Sequence, residues 1–213
     1  MKKSILKALF RVPLIIGYAV LTAMLFPFTL FSQNLLNNPE SIVHDAAYNR
    51  YLVSNWGDGA IVQIDSNGVQ SYFNTDFQGN HNFAGLHIAG NRLFASCNFG
   101  PDAGLIGFDL GSGQVVSNVD IQGRELLNDI TTDTSGYLYV TEYNRHKIFK
   151  VNRSTYSYST FVASGLSSPN GILFDETGNR LLVLSEGASG APILTVSLTD
   201  SSLSEMTAMN LAA

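Results

Sequence analysis

The chain has 213 residues, of which 45% are hydrophobic and 14% charged, with a net charge of −5. The acidic, low-charge balance lacks the basic footprint that a nucleic-acid partner requires. The single cysteine, Cys97, excludes an internal disulfide; its apolar strand setting at Leu93–Asn98 reads as a small buried hydrophobe.

Residues 1–33 open with Lys2, Lys3, Lys7 and Arg11 and continue as an almost uncharged apolar run from Val12 to Phe31. A basic segment followed by an apolar one is the layout of an export signal, and Pro27 with the polar Ser32-Gln33 exit places its cleavage near residue 33. The run is also long enough to stay as a membrane anchor if uncleaved. The expected location is therefore periplasmic, extracellular or surface-associated. Removing the segment leaves 8 basic against 17 acidic residues, a net charge of −9.

From residue 34 onward the sequence repeats itself four times. Ile42, Leu86, Ile130 and Ile172, spaced by 44, 44 and 42 residues, each open a short apolar-polar alternation that ends in a Gly/Asn/Ser-rich turn. The first unit (about 37–75) reads as SIVHDAA, RYLVSNW, AIVQID and VQSYFNT; the second (83–121) as GLHIAG, RLFASCN, GLIGFDL and QVVSNVDI. The third (126–164) offers NDITTD, YLYVTEY, KIFKVN and YSYSTFVA, and the fourth (167–209) GILFDE, RLLVLSE, PILTVSL and SLSEMTAM. Turn residues such as Ser66-Asn67-Gly68, Gly111-Ser112-Gly113 and Gly178-Asn179 separate the segments and predict antiparallel hairpins. Four strands per unit at a period in the low forties predict an all-β fold, a β-propeller over residues 34–213. Four blades sit at the lower limit for such rings, so the expectation is a part of a larger ring.

Equivalent positions carry the remaining expectations. In the second strands, Ser54, Ser96, Thr141 and Ser185 align, and Glu142 and Glu186 follow them as solvated hairpin residues. Asp45, Asp133 and Asp175 end the first strands, where a carboxylate bonds turn N–H groups, so they read as structural. The positions two before each anchor hold Glu40, Ala84, Asn128 and Asn170. First strands border the channel of a propeller, so these residues converge at one mouth, and a carboxylate with two carboxamides offers hard oxygen donors for Ca²⁺ or another divalent cation.

PESIVHD (Pro39–Asp45), the run from Asn128 to Val151 and PNGILFDETGNRLLVLSE (Pro169–Glu186) resemble NHL-type repeats and the senescence-marker-protein/gluconolactonase superfamily of six-bladed propellers. That resemblance implies a divalent cation held by Glu40 and Asn170, with Asn128 beside the substrate. It also implies a later-blade Asp as ligand and general base, for which no counterpart stands before Ala213. Leu126 and Leu127 stand where the lactonase branch has an Arg before its Asn-Asp phrase, and Ser41, Ile42 and His44 replace its Gly-Pro and Trp.

The expected function is a ligand-binding or interaction scaffold, taking a small molecule or protein at the channel mouth. Two alternatives stand beside it: a divalent-metal-dependent lactone or ester hydrolase with part of its site beyond residue 213, and a repeat segment of a larger cell-surface protein. His44, His81, His87 and His146 form no zinc-type pair, and no phosphate loop or dinucleotide fingerprint occurs, so no nucleotide cofactor is expected.

Overall fold

A computed structural model describes residues 34–101, 103–190 and 192–206; the export signal or anchor read at 1–33 lies outside them. Sixteen strands form four sheets of four. Blade 1 contains β1 (Pro39–Asp45), β2 (Arg50–Asn55), β3 (Ile61–Asp65) and β4 (Gln70–Asn74); blade 2 contains β5 (Asn82–Ala89), β6 (Arg92–Asn98), β7 (Gly104–Asp109) and β8 (Val115–Val119). Blade 3 contains β9 (Leu127–Thr132), β10 (Tyr137–Glu142), β11 (Lys147–Asn152) and β12 (Tyr158–Val162). Blade 4 contains β13 (Pro169–Asp175), β14 (Arg180–Ser185), β15 (Ile193–Ser197) and β16 (Leu203–Glu205). Each sheet is an antiparallel meander in chain order, the blade of a β-propeller, as the repeat predicts.

The central strands are apolar on both faces because each sheet is packed on both sides. In β6, Leu93, Ala95 and Cys97 pack toward blade 1 with Leu52, Ile61, Phe83 and Phe108, whereas Phe94 packs toward blade 3 with Leu138, Val140 and Phe149. This is the two-residue alternation of a strand, used twice. A third core joins Tyr139 and Ile148 of blade 3 to Leu181, Val183 and Val196 of blade 4. Cys97 is fully buried in the first of these cores, as its strand pattern predicts. Contacts run from each blade to its neighbours, so the array is stabilised junction by junction.

The outward flanks show what packing supplies. Leu86, Ile130 and Ile172 are 3%, 2% and 6% exposed, whereas the equivalent Ile42 is 61% exposed, because no described blade precedes blade 1. Leu173, on the last described blade, is equally exposed.

Candidate functional site

The innermost strand of every blade carries the same irregularity. Pro39 pairs with Asn55 and Ile42 with Val53, so Glu40 and Ser41 together face the single residue Ser54. Ala84 and Gly85 face Ser96 in blade 2, Asn128 and Asp129 face Thr141 in blade 3, and Asn170 and Gly171 face Leu184 in blade 4. Two residues opposite one is a β-bulge, which bends the strand and re-aims its side chains. The fourth blade therefore corrects the predicted alignment: Leu184, not Ser185, is the counterpart of Ser54, and Ser185 is the counterpart of Asn55 and Glu142.

In blades 1 and 3 the hydroxyl opposite the bulge holds it in place. Ser54 Oγ accepts the Ser41 N–H at 3.0 Å and donates to the Ala84 carbonyl of the next blade at 2.6 Å. Thr141 Oγ1 accepts the Asp129 N–H at 2.9 Å and donates to the Asn170 carbonyl at 2.7 Å. In the same two blades the residue just before the anchor reaches forward to the following blade. Ser41 Oγ accepts the Leu86 N–H at 3.1 Å, and Asp129 Oδ2 accepts the Ile172 N–H at 3.0 Å. Gly85 has no side chain for this task, and the Ile130 N–H is taken instead by Asp129 Oδ1 at 2.9 Å. A Cβ at Gly85 would lie 2.5 Å from the Asn128 carbonyl oxygen and 2.6 Å from Asp129 Cα, so glycine is what lets blade 3 approach this closely.

The bulges converge on one pocket of about 130 Å³ lined by Glu40, Ser41, Gly85, Asn128, Asp129 and Asn170. Every lining residue is a bulge residue, contributed by all four blades. Glu40 is exposed; Asn128, Asp129 and Asn170 are half-buried. Asn170 Nδ2 donates to Glu186 Oε2 at 2.8 Å, which leaves the carboxamide oxygen as its acceptor. Burial lifts the Asp129 carboxyl above its usual range against the pull of its two backbone N–H bonds, and the Glu40 charge adds to the rise.

The donor set is oxygen only, with two carboxylates and two carboxamides, which suits Ca²⁺ better than a nitrogen- or sulfur-seeking metal. Among the described residues no group of three or more His, Cys, Asp and Glu is placed to hold a metal, so any cation here depends on the carboxamides. Glu40 and Asn170 are the lining residues that could hold one, with Asn128 beside them. Asp129, whose oxygens both accept backbone N–H groups, was not among the residues singled out by sequence. Its signal was the position itself, where the other units place Ser41, Gly85 and Gly171.

The remaining sequence candidates are structural. Asp45 pairs with Arg50 at 2.9 Å and Asp175 with Arg180 at 2.8 Å, while Asp133 accepts the Tyr137 N–H at 2.9 Å. His146 Nδ1 accepts the Ser168 N–H at 2.8 Å. Glu142 overturns its expectation: it is fully buried, not solvated, and its carboxylate accepts the N–H groups of Glu125, Leu126 and Arg145. Asn55 and Ser185, at the same position, likewise bond the segment leading into their own first strands, at Leu35 and Asn37 and at Ser167. Glu186 is exposed, as expected.

No family model matches the chain, and no curated protein matches it significantly. Among solved structures it is similar to a chain of a nidogen/laminin complex, with 15% identity, TM-score 0.68, and coverage of 80% of this chain and 65% of that one. It is also similar to streptogramin B lyase, with 14% identity, TM-score 0.66, and coverage of 86% and 59%. A protein of unknown function from Bacteroides caccae matches with 13% identity, TM-score 0.62, and coverage of 82% and 62%. The chain spans less than two thirds of the length of each. At these identities the likeness shows the fold alone, a β-propeller.

Proposed function

We propose that this chain is an exported β-propeller scaffold that recognises a ligand at the channel mouth through a divalent cation, most simply Ca²⁺, held by Glu40 and Asn170 with Asn128 beside the bound ligand. The observation that supports this reading most directly is the single pocket shared by these residues, drawn from three blades. A cation there would offset the proximity of the Glu40 and Asp129 carboxylates and offer open coordination positions to an oxygen-bearing ligand. The same reading takes the four blades as part of a larger ring, supported by the exposure of Ile42 against its buried counterparts.

Binding is favoured over hydrolysis by the state of the carboxylates. A hydrolase needs a carboxylate able to take a proton from water. Asp129 has both oxygens engaged by backbone N–H groups, and Glu40 is assigned to the cation. The test is an assay of the purified full chain against a panel of lactones with and without Ca²⁺. The scaffold reading expects no turnover above the uncatalysed rate. Metal-dependent hydrolysis lost in Asn170→Ala would replace it with the hydrolase reading.

A further inference from the structure

At the opposite end of the innermost strands, blade 2 departs from its neighbours. The hairpin joining its first two strands has a two-residue loop, Gly90-Asn91, where blades 1 and 4 have four residues between Asp45 and Arg50 and between Asp175 and Arg180. Those longer hairpins pair an aspartate directly with an arginine across the strands. In blade 2 the paired residues are Ala89 and Arg92, so the arginine is retained and its carboxylate is missing.

Arg92 turns to blade 3. Its Nη1 donates to Tyr156 Oη, and its guanidinium carbon lies 5.9 Å from the centre of the Tyr156 ring. Arg153 of blade 3 comes to the same place from the other side. Its Nη1 is 3.9 Å from where a Cβ on Gly90 would stand, and its Nη2 is 3.7 Å from the equivalent point on Gly136. Arg50, Arg124, Arg145 and Arg180 each hold a carboxylate, whereas Arg92 and Arg153 hold none among the described residues. The Arg153 guanidinium makes no hydrogen bond there either. Asp109, opposite Arg92 in the ladder, feels the Arg92 charge, but its hydrogen bonds go to the Gly111 and Ser112 N–H groups of its own turn.

Between these arginines lies a cavity of about 420 Å³ lined by Ala89, Gly90, Asn91, Arg92, Arg153, Ser154 and Tyr156, with no acidic residue. Two guanidinium groups without an ion-paired carboxylate among the described residues, flanked by a carboxamide, a hydroxyl and turn backbone, present converging donors in an otherwise acidic body. Guanidinium groups favour multi-oxygen anions because their donors form a planar fork. Asp133 and Glu176 lie beyond Arg153 in the adjoining cleft and limit the site on that side.

We propose that this cavity is an anion site for the phosphate group of a small molecule, held between Arg92 and Arg153 at the junction of blades 2 and 3. It is independent of the cation site at the other end of the strands.

The test is a titration of the full chain with inorganic phosphate by isothermal calorimetry, with sulfate and acetate as parallel arms. Phosphate and sulfate should bind, acetate at least tenfold more weakly, and affinity should fall as salt is raised. Arg153→Gln, which removes no side-chain hydrogen bond to the described residues, should keep the circular dichroism of the parent and weaken phosphate binding at least tenfold. Ala89→Asp, which restores the carboxylate that the other blades supply, should weaken it similarly without touching either arginine. No binding to the parent, binding unchanged in Arg153→Gln, or acetate bound as well as phosphate would each overturn the proposal.

Discussion

Asp129 Oδ2 accepts a 3.0 Å hydrogen bond from the Ile172 N–H of the following blade. With Oδ1 accepting the Ile130 N–H, one side chain fastens two consecutive bulges. Asp129→Ala leaves both donors without their acceptor, and a stranded donor costs about 1–3 kcal/mol. The expected result is a loss of stability of that order in urea unfolding, with faster hydrogen exchange at the Ile172 amide. Asp129→Ser, which imitates Ser41, should recover part of it. An unchanged Ile172 exchange rate would refute the role of this contact.

Gly85→Ala tests the close approach of blades 2 and 3. The added methyl would meet backbone atoms at 2.5 and 2.6 Å, and overpacking of this kind costs about 1–3 kcal/mol. Gly68→Ala is not a fair control, because Gly68 adopts φ +79; Gly171→Ala, whose nearest neighbour is Asp129 Oδ2 at 3.9 Å, is. The Gly85 variant should lower the urea midpoint and the Gly171 variant should leave it near that of the parent.

Two glutamates that share a position in the predicted alignment, but lie one residue apart in the ladder, should behave oppositely. Glu142→Ala strands three backbone donors and should cost about 1–3 kcal/mol, whereas Glu186→Ala at the surface should stay within about 0.5 kcal/mol. Urea unfolding of the two variants reads the difference. Equal effects would contradict the buried clamp described for Glu142.

His87 supplies a pH dependence of definite sign. Burial pushes its pKa below the usual 6.5, and the charge of Arg153 adds to the effect. Between the depressed folded value and 6.5 the unfolded chain binds more protons, so stability from this group is full above 6.5 and declines as pH falls through that window. His87→Gln should therefore flatten part of the acid-side slope of unfolding free energy against pH. A slope identical to the parent would exclude His87 as its source.

Much of the fold was legible because a propeller repeats it: four anchors and their turns locate sixteen strands, and burial on both faces follows from blade stacking. The bulges were not, since an extra residue in a first strand changes no composition and only the pairing with the second strand displays it. For the same reason Ser185 looked equivalent to Ser54, although the ladder sets Leu184 there. Glu142 looked like a surface residue because the N–H groups it satisfies lie 16 and 17 residues earlier, in a connector whose path the sequence does not reveal. The convergence of Glu40, Asn128 and Asn170 was readable from spacing; Asp129 among them was not.

The most direct test of the proposed function is a calorimetric Ca²⁺ titration of the full chain, in parallel with Glu40→Gln and Asn170→Ala. One cation should bind per chain in the parent, at least tenfold more weakly in each variant, while circular dichroism stays unchanged. A parent that binds no Ca²⁺, or variants that bind it as well as the parent, would contradict the cation-centred pocket.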